Sequence, residues 1–221
     1  MAFPTTGTLD NFNRADEDPL TGGGNWGSVP VFVGYDLHRI ISNQVASGGD
    51  TSVSSTTYWA SATNANCEVW CDVPVAPANS TDSYVSLMLR LAQPNSSADG
   101  YLAEFLYDGT LTIYRIDNET LTALGASVDF GTFGNNDAVG FEASGSTLKA
   151  YYKASGGSWV EQLSRTDSTY GAGGFIGLFT RRTAATRVDN FSGGDTLGRP
   201  RVSALTFGTP VHSLVNAGLV G

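Results

Sequence analysis

Apolar and polar residues alternate with a period of two through most of this chain, in short runs separated by turn-forming residues. Tyr84 to Leu91 is the clearest run, with Val85, Leu87, Leu89 and Leu91 on one face and Tyr84, Ser86, Met88 and Arg90 on the other, the pattern of a strand with one face on a core. The same alternation predicts strands at residues 9–12, 37–45, 57–62, 68–73, 101–107, 111–116, 138–143, 147–153, 159–163, 174–180 and 188–191. Asp108-Gly109, the pair that closes tight hairpins, stands between two of them. No helical period interrupts the series. Many short strands joined by tight turns predict an all-β chain, folded as an antiparallel two-sheet jelly-roll sandwich rather than a parallel α/β sheet.

Two of these segments are nearly the same. Leu9-Asp10-Asn11-Phe12 and Val188-Asp189-Asn190-Phe191 each sit beside turn residues near opposite ends of the chain, and a β domain often brings its terminal strands together. We expect them to be neighbours in one sheet. That closes a domain over residues 1–195 and leaves residues 196–221 as an extended C-terminal arm.

Composition narrows the function classes. Charged residues are 15% of the 221, with 27 glycines and a net charge of -9, so the surface is built of Ser, Thr, Asn and Gly. Binding nucleic acid through its phosphates needs a basic stripe, which an acidic chain lacks. No run approaches the ~20 apolar residues that span a bilayer. Met1 to Thr6 has neither the basic nor the apolar part of a signal peptide, which predicts synthesis in a host cytoplasm and release by another route, such as lysis. Cys67 and Cys71 fall on one predicted strand, roughly 13 Å apart. That is too far for a disulfide, so both are expected to face the core as free thiols.

Leu9-Asp10-Asn11-Phe12-Asn13-Arg14-Ala15-Asp16, followed by a Gly-rich stretch and Asn25-Trp26, resembles the opening of concanavalin A-like (laminin-G-like) jelly-roll domains of phage tail and other virion proteins and of some secreted bacterial proteins. Gly173-Gly174-Phe175-Ile176-Gly177-Leu178-Phe179 and Val188 to Gly194 are similar to the last two strands of such domains. The resemblance spans residues 3 to 195. It implies the fold more strongly than the function, because one fold hosts many activities.

Glycosidases need two carboxylates roughly 5–9.5 Å apart. Glu68 and Asp72 share a strand face but lie roughly 13 Å apart, and Glu104 and Glu142 stand alone on theirs, so no enzymatic activity is expected. Glu68, Trp70 and Asp72 instead make an aromatic flanked by acceptors, the composition of a sugar-binding face, with Tyr101 and Tyr107 as further aromatic candidates. The alternative places Trp70 under a loop or in a second apolar layer. The resemblance implies calcium at the sandwich rim in some members, with Asp10, Asp16 and Asp189 as candidate ligands; Asp10 and Asp189 could equally cap turns. The arm is apolar and Pro-punctuated, and Arg201, Leu205, Phe207, Val211 and Leu214 are the residues expected to dock on another molecule. The first expectation is therefore a structural protein on the surface of a phage particle, a homo-oligomer or a subunit docked on capsid or tail, displaying a lectin-like domain toward host glycans. The alternative is a bacterial carbohydrate-binding module or lectin, and the third reading a glycoside hydrolase.

Overall fold

A computed structural model describes residues 2–28, 36–48, 54–77, 83–92, 97–181 and 185–196; the arm residues Arg201, Leu205, Phe207, Val211 and Leu214 lie outside them. Among the described residues the alternating runs form sixteen strands: β1 (Thr8–Asp10), β2 (Trp26–Ser28), β3 (Arg39–Ile41), β4 (Gln44–Ala46), β5 (Ser54–Trp59), β6 (Cys67–Val75), β7 (Tyr84–Ala92), β8 (Asp99–Leu106), β9 (Thr110–Asp117), β10 (Thr120–Ala123), β11 (Val128–Asp129), β12 (Asp137–Ser144), β13 (Thr147–Lys153), β14 (Val160–Thr166), β15 (Phe175–Arg181) and β16 (Arg187–Asp195). Among the described residues the only helical element is a single turn at Gly22–Gly24.

The strands pair antiparallel into two sheets. One runs β14-β13-β12-β6-β16-β4-β3 with β1 also on β16, and the other runs β10-β9-β8-β7-β15-β5-β2 with β11 on β9. The two similar terminal motifs are neighbours, with Thr8 opposite Ser192 and Asp10 opposite Phe191. Cys67, Val69, Cys71 and Val73 of β6 face inward with Val139 and Phe141 of β12, meeting Val85, Leu87 and Leu89 of β7 and Ala103 and Phe105 of β8. Each of the Val, Leu and Phe side chains contributes about 1.5–3 kcal/mol by leaving water. Both cysteines are buried free thiols, and burial raises both pKa values.

Three strand expectations change. Residues 37–45 form two strands, because Ser42 and Asn43 take φ of 53° and 63° and reverse the chain. Asn118 and Glu119, at 46° and 66°, do the same between β9 and β10. Neither turn carries the glycine that usually marks such a hairpin. Tyr107 falls in the turn after β8 rather than on the strand.

The N-terminal residues lie across the outer face of the first sheet. The Phe3 ring stacks on Tyr151 at 3.9 Å and meets Trp159 edge-on at 5.0 Å. It sits over Gly140, where a Cβ would come within 2.3 Å of Phe3 Cζ. Beyond it, Glu68 Oε1 accepts the N–H groups of Thr5 (2.5 Å) and Thr6 (2.6 Å) and the Thr6 hydroxyl (2.7 Å). Near the start of β6 the fully buried Arg90 ties three loops together, donating to the carbonyls of Ala65, Gly145 and Tyr170.

Candidate functional site

The turn after β1 is organised by the Asp10 carboxylate. Its Oδ1 accepts the Phe12 N–H at 2.8 Å and Arg14 Nη1 at 2.7 Å, while Oδ2 accepts Trp26 Nε1 at 2.8 Å. Arg14 Nε also reaches Glu17 Oε2 at 3.2 Å, so one guanidinium bridges two carboxylates. Glu17 Oε1 in turn accepts the Thr21 and Gly22 N–H groups, each at 2.8 Å, and the Thr21 hydroxyl. Burial opposes the charge on Glu17, but the donors from Thr21, Gly22 and Arg14 outweigh it and bring its pKa down to about 2. Gly22 is required here, since it sits at φ +54° with a virtual Cβ 2.8 Å from Trp26 Cδ1.

The loop fixed in this way forms one wall of a cleft of about 450 Å³ at the rim of the sandwich. Trp59, the last residue of β5, also lines it. Its half-buried indole meets Trp26 edge-to-face at 5.5 Å, and Trp26 is itself packed on Phe12 and Phe191. Asp16 and Asn25 stand exposed on the lip; Asp16 Oδ1 accepts the Ser42 N–H at 2.8 Å, and the Asn25 amide has no side-chain partner among the described residues. Past Leu9 and Trp59 lies a second hollow of about 160 Å³, lined by Ser61, Ala62, Thr63 and Asp195.

The residues expected from sequence do not form this cleft as a set. Glu68, Trp70 and Asp72 do share the outer face of the first sheet, but Glu68 is 1% exposed and occupied by Thr5 and Thr6. Trp70 packs edge-on against Trp159 at 6.0 Å with its Nε1 buried and unpartnered. Asp72 accepts the Asn190 amide at 2.9 Å. Tyr101 belongs to the other sheet and points into the core, 0% exposed, with its hydroxyl on Asp167 at 2.7 Å; Tyr107 stands in a turn of that sheet. The five are therefore not one platform, because the strands that carry them lie in different sheets and the alternation turns Tyr101 inward.

The three candidate calcium ligands have the following surroundings. Asp10 is already surrounded by donors, Asp16 caps Ser42, and Asp189 faces Asp72 across the β6–β16 pair. Burial raises the Asp189 pKa, with the charges of Asp72 and Asp10 adding to the effect. Among the described residues, no three His, Cys, Asp or Glu groups converge to hold a metal ion.

What sequence reasoning missed was Trp59 with Glu17 and Asn25. An aromatic at the end of a strand, beside a Gly-rich loop that carries acids and amides, was the available signal.

No family model matches the sequence, and no curated protein matches it. Similar solved structures include the carbohydrate-binding module CBM66 from Bacillus subtilis, 15% identical with a TM-score of 0.60 over 77% of this chain and 96% of that one. The exoplasmic/lumenal domain of VIP36, in a form bound to Ca2+ and mannose, is 11% identical with a TM-score of 0.59 over 84% of this chain and 91% of that one. A xylan β-1,4-xylosidase from Bacillus halodurans is 13% identical with a TM-score of 0.55, matching 88% of this chain but 40% of the enzyme. At these identities the likeness shows the fold: an all-β, lectin-like jelly roll.

Proposed function

We propose that this chain is a non-catalytic carbohydrate-binding domain that takes sugars in the rim cleft beside Trp59. The observation that carries the reading is the half-buried indole of Trp59, packed edge-to-face on Trp26, lining a cleft of about 450 Å³ together with Asp16 and Asn25. The apolar face of a sugar ring stacks on an aromatic, and its hydroxyls pair with carboxylates and amides. The lectin-like fold supports the same reading. Hydrolysis of a glycoside needs a carboxylic acid still protonated near neutral pH; Glu17 is held ionised, and both Asp10 oxygens are engaged by donors. Glu104, pushed up by burial, sits on the outer face of the second sheet beside Tyr114 and Arg181 rather than a second carboxylate.

A glycan array followed by calorimetry tests the proposal. The parent protein should bind at least one saccharide class, and Trp59→Ala should weaken that binding by at least tenfold, with circular dichroism confirming the fold. Asn25→Ala, on an exposed side chain, should weaken it less. An array without any bound saccharide, or a Trp59→Ala variant that binds like the parent, overturns the reading.

Where the domain is displayed is a second question, on which the apolar sequence of residues 199–221 bears. We infer that this arm docks the lectin-like domain on a neighbouring subunit, as on the surface of a phage particle. A chain ending at Asp195 should fail to join particles; its normal incorporation would refute the inference.

A further inference from the structure

The cleft does not end at Trp59. Leu9 and Trp59 line both the larger hollow, which holds Asp16 and Asn25, and the smaller one, which holds Ser61, Ala62 and Asp195. The two hollows thus adjoin at the Leu9 and Trp59 side chains. A single sugar unit on Trp59 would have room on both sides for its linked neighbours.

The charges along the path are one-sided. Asp10, Asp16 and Glu17 line the larger hollow and Asp195 the smaller, against Arg14 alone. That guanidinium is already shared between Asp10 at 2.7 Å and Glu17 at 3.2 Å, and Asp195 is held by the Asn64 N–H at 2.6 Å. A carboxylate or sulfate on the ligand would meet uncompensated negative charge at short range, where like charges repel strongly. Hydroxyl donors meet acceptors.

Resting on the carbohydrate-binding reading above, we propose that the rim is a two-lobed groove that binds an uncharged oligosaccharide along its length, one unit on Trp59 and further units in each hollow, and that it rejects uronate and sulfated chains. The segments that build it come from both ends and the middle of the chain, β1 with its following loop, the β5 end and the β16 end, so the groove exists only in the folded sandwich.

Calorimetry with glucose, xylose, mannose and fructose, and with the tetrasaccharide of each sugar, reads the length dependence; polygalacturonate and a sulfated galactan read the charge dependence. A tetrasaccharide should bind at least tenfold tighter than its monosaccharide, and the anionic chains at least tenfold weaker than the best neutral chain. Ala62→Leu, an exposed position that fills the smaller hollow, should bring the tetrasaccharide affinity down toward the monosaccharide value. If monosaccharide and tetrasaccharide bind equally, if Ala62→Leu leaves the tetrasaccharide affinity unchanged, or if an anionic chain binds best, the two-lobed neutral groove is wrong while sugar binding stands. If no saccharide of any class binds, the carbohydrate reading fails and the groove assignment with it.

Discussion

Replacing Asp10 with asparagine tests whether the rim is organised by a carboxylate among donors. The Asp10 side chain is 9% exposed and accepts from the Phe12 N–H, Arg14 Nη1 and Trp26 Nε1. Because every neighbour donates, an amide of the same shape sets its NH2 against one of them whichever way it flips. Hydrogen bonds to charged groups contribute about 1.5–3 kcal/mol each, and a buried group left unsatisfied costs about 1–3 kcal/mol. Asp10→Asn should therefore destabilise by about 2–4 kcal/mol, a fall in Tm of roughly 5–15 °C for a domain of this size. Scanning calorimetry at neutral pH reads the shift, and a double-mutant cycle with Arg14→Met isolates the ion pair, for which coupling above about 0.5 kcal/mol is expected. Saccharide binding should weaken as well, since Trp26 loses the acceptor that orients it under Trp59. A Tm within about 2 °C of the parent would refute the claim that Asp10 holds the rim together.

His38 is fully buried between the hydroxyls of Thr57 at 2.9 Å and Thr180 at 3.0 Å, and burial lowers its pKa to about 3. The unfolded chain takes up that proton near pH ~6.5, so the stabilisation is complete above that value. It falls by up to about 1.4 kcal/mol per pH unit as pH drops toward the folded value. Denaturant titrations from about pH 7 to about 4 should show a steeper loss for the parent than for His38→Gln, and equal slopes would sink the assignment. Arg90→Met strands the carbonyls of Ala65, Gly145 and Tyr170; a loss of about 2–5 kcal/mol and faster amide exchange confined first to those loops are expected, and unchanged exchange there would contradict it. Gly140→Ala puts a methyl 2.3 Å from Phe3 Cζ, so the N-terminal segment should become protease-sensitive while the sandwich keeps its Tm within about 3 °C. Resistance equal to that of the parent would show that Phe3 is not seated there.

Much of the sandwich was legible because a period of two is a local property. Val85, Leu87 and Leu89 announce a buried face whatever lies opposite, and the free thiols of Cys67 and Cys71 follow from strand geometry alone. The matched segments around Asp10 and Asp189 also gave the pairing of β1 with β16 correctly. The two hairpins at Ser42-Asn43 and Asn118-Glu119 escaped because their left-handed residues are not glycine.

The functional face was far less legible. Alternation places Glu68, Trp70 and Asp72 on one side of β6, yet it does not reveal that Thr5 and Thr6 occupy Glu68 or that Phe3 lies against Tyr151 and Trp159. Nor does it say which face of β8 is inward, and Tyr101 points to the core. The sequence by itself determined an all-β chain of short antiparallel strands and an acidic, Gly-rich surface, because strand period and composition depend only on neighbours along the chain. The tertiary structure alone decided that Asp10, Glu17, Asn25, Trp59 and Asp195 share one rim, because strand order and register bring distant residues together and no local pattern encodes them.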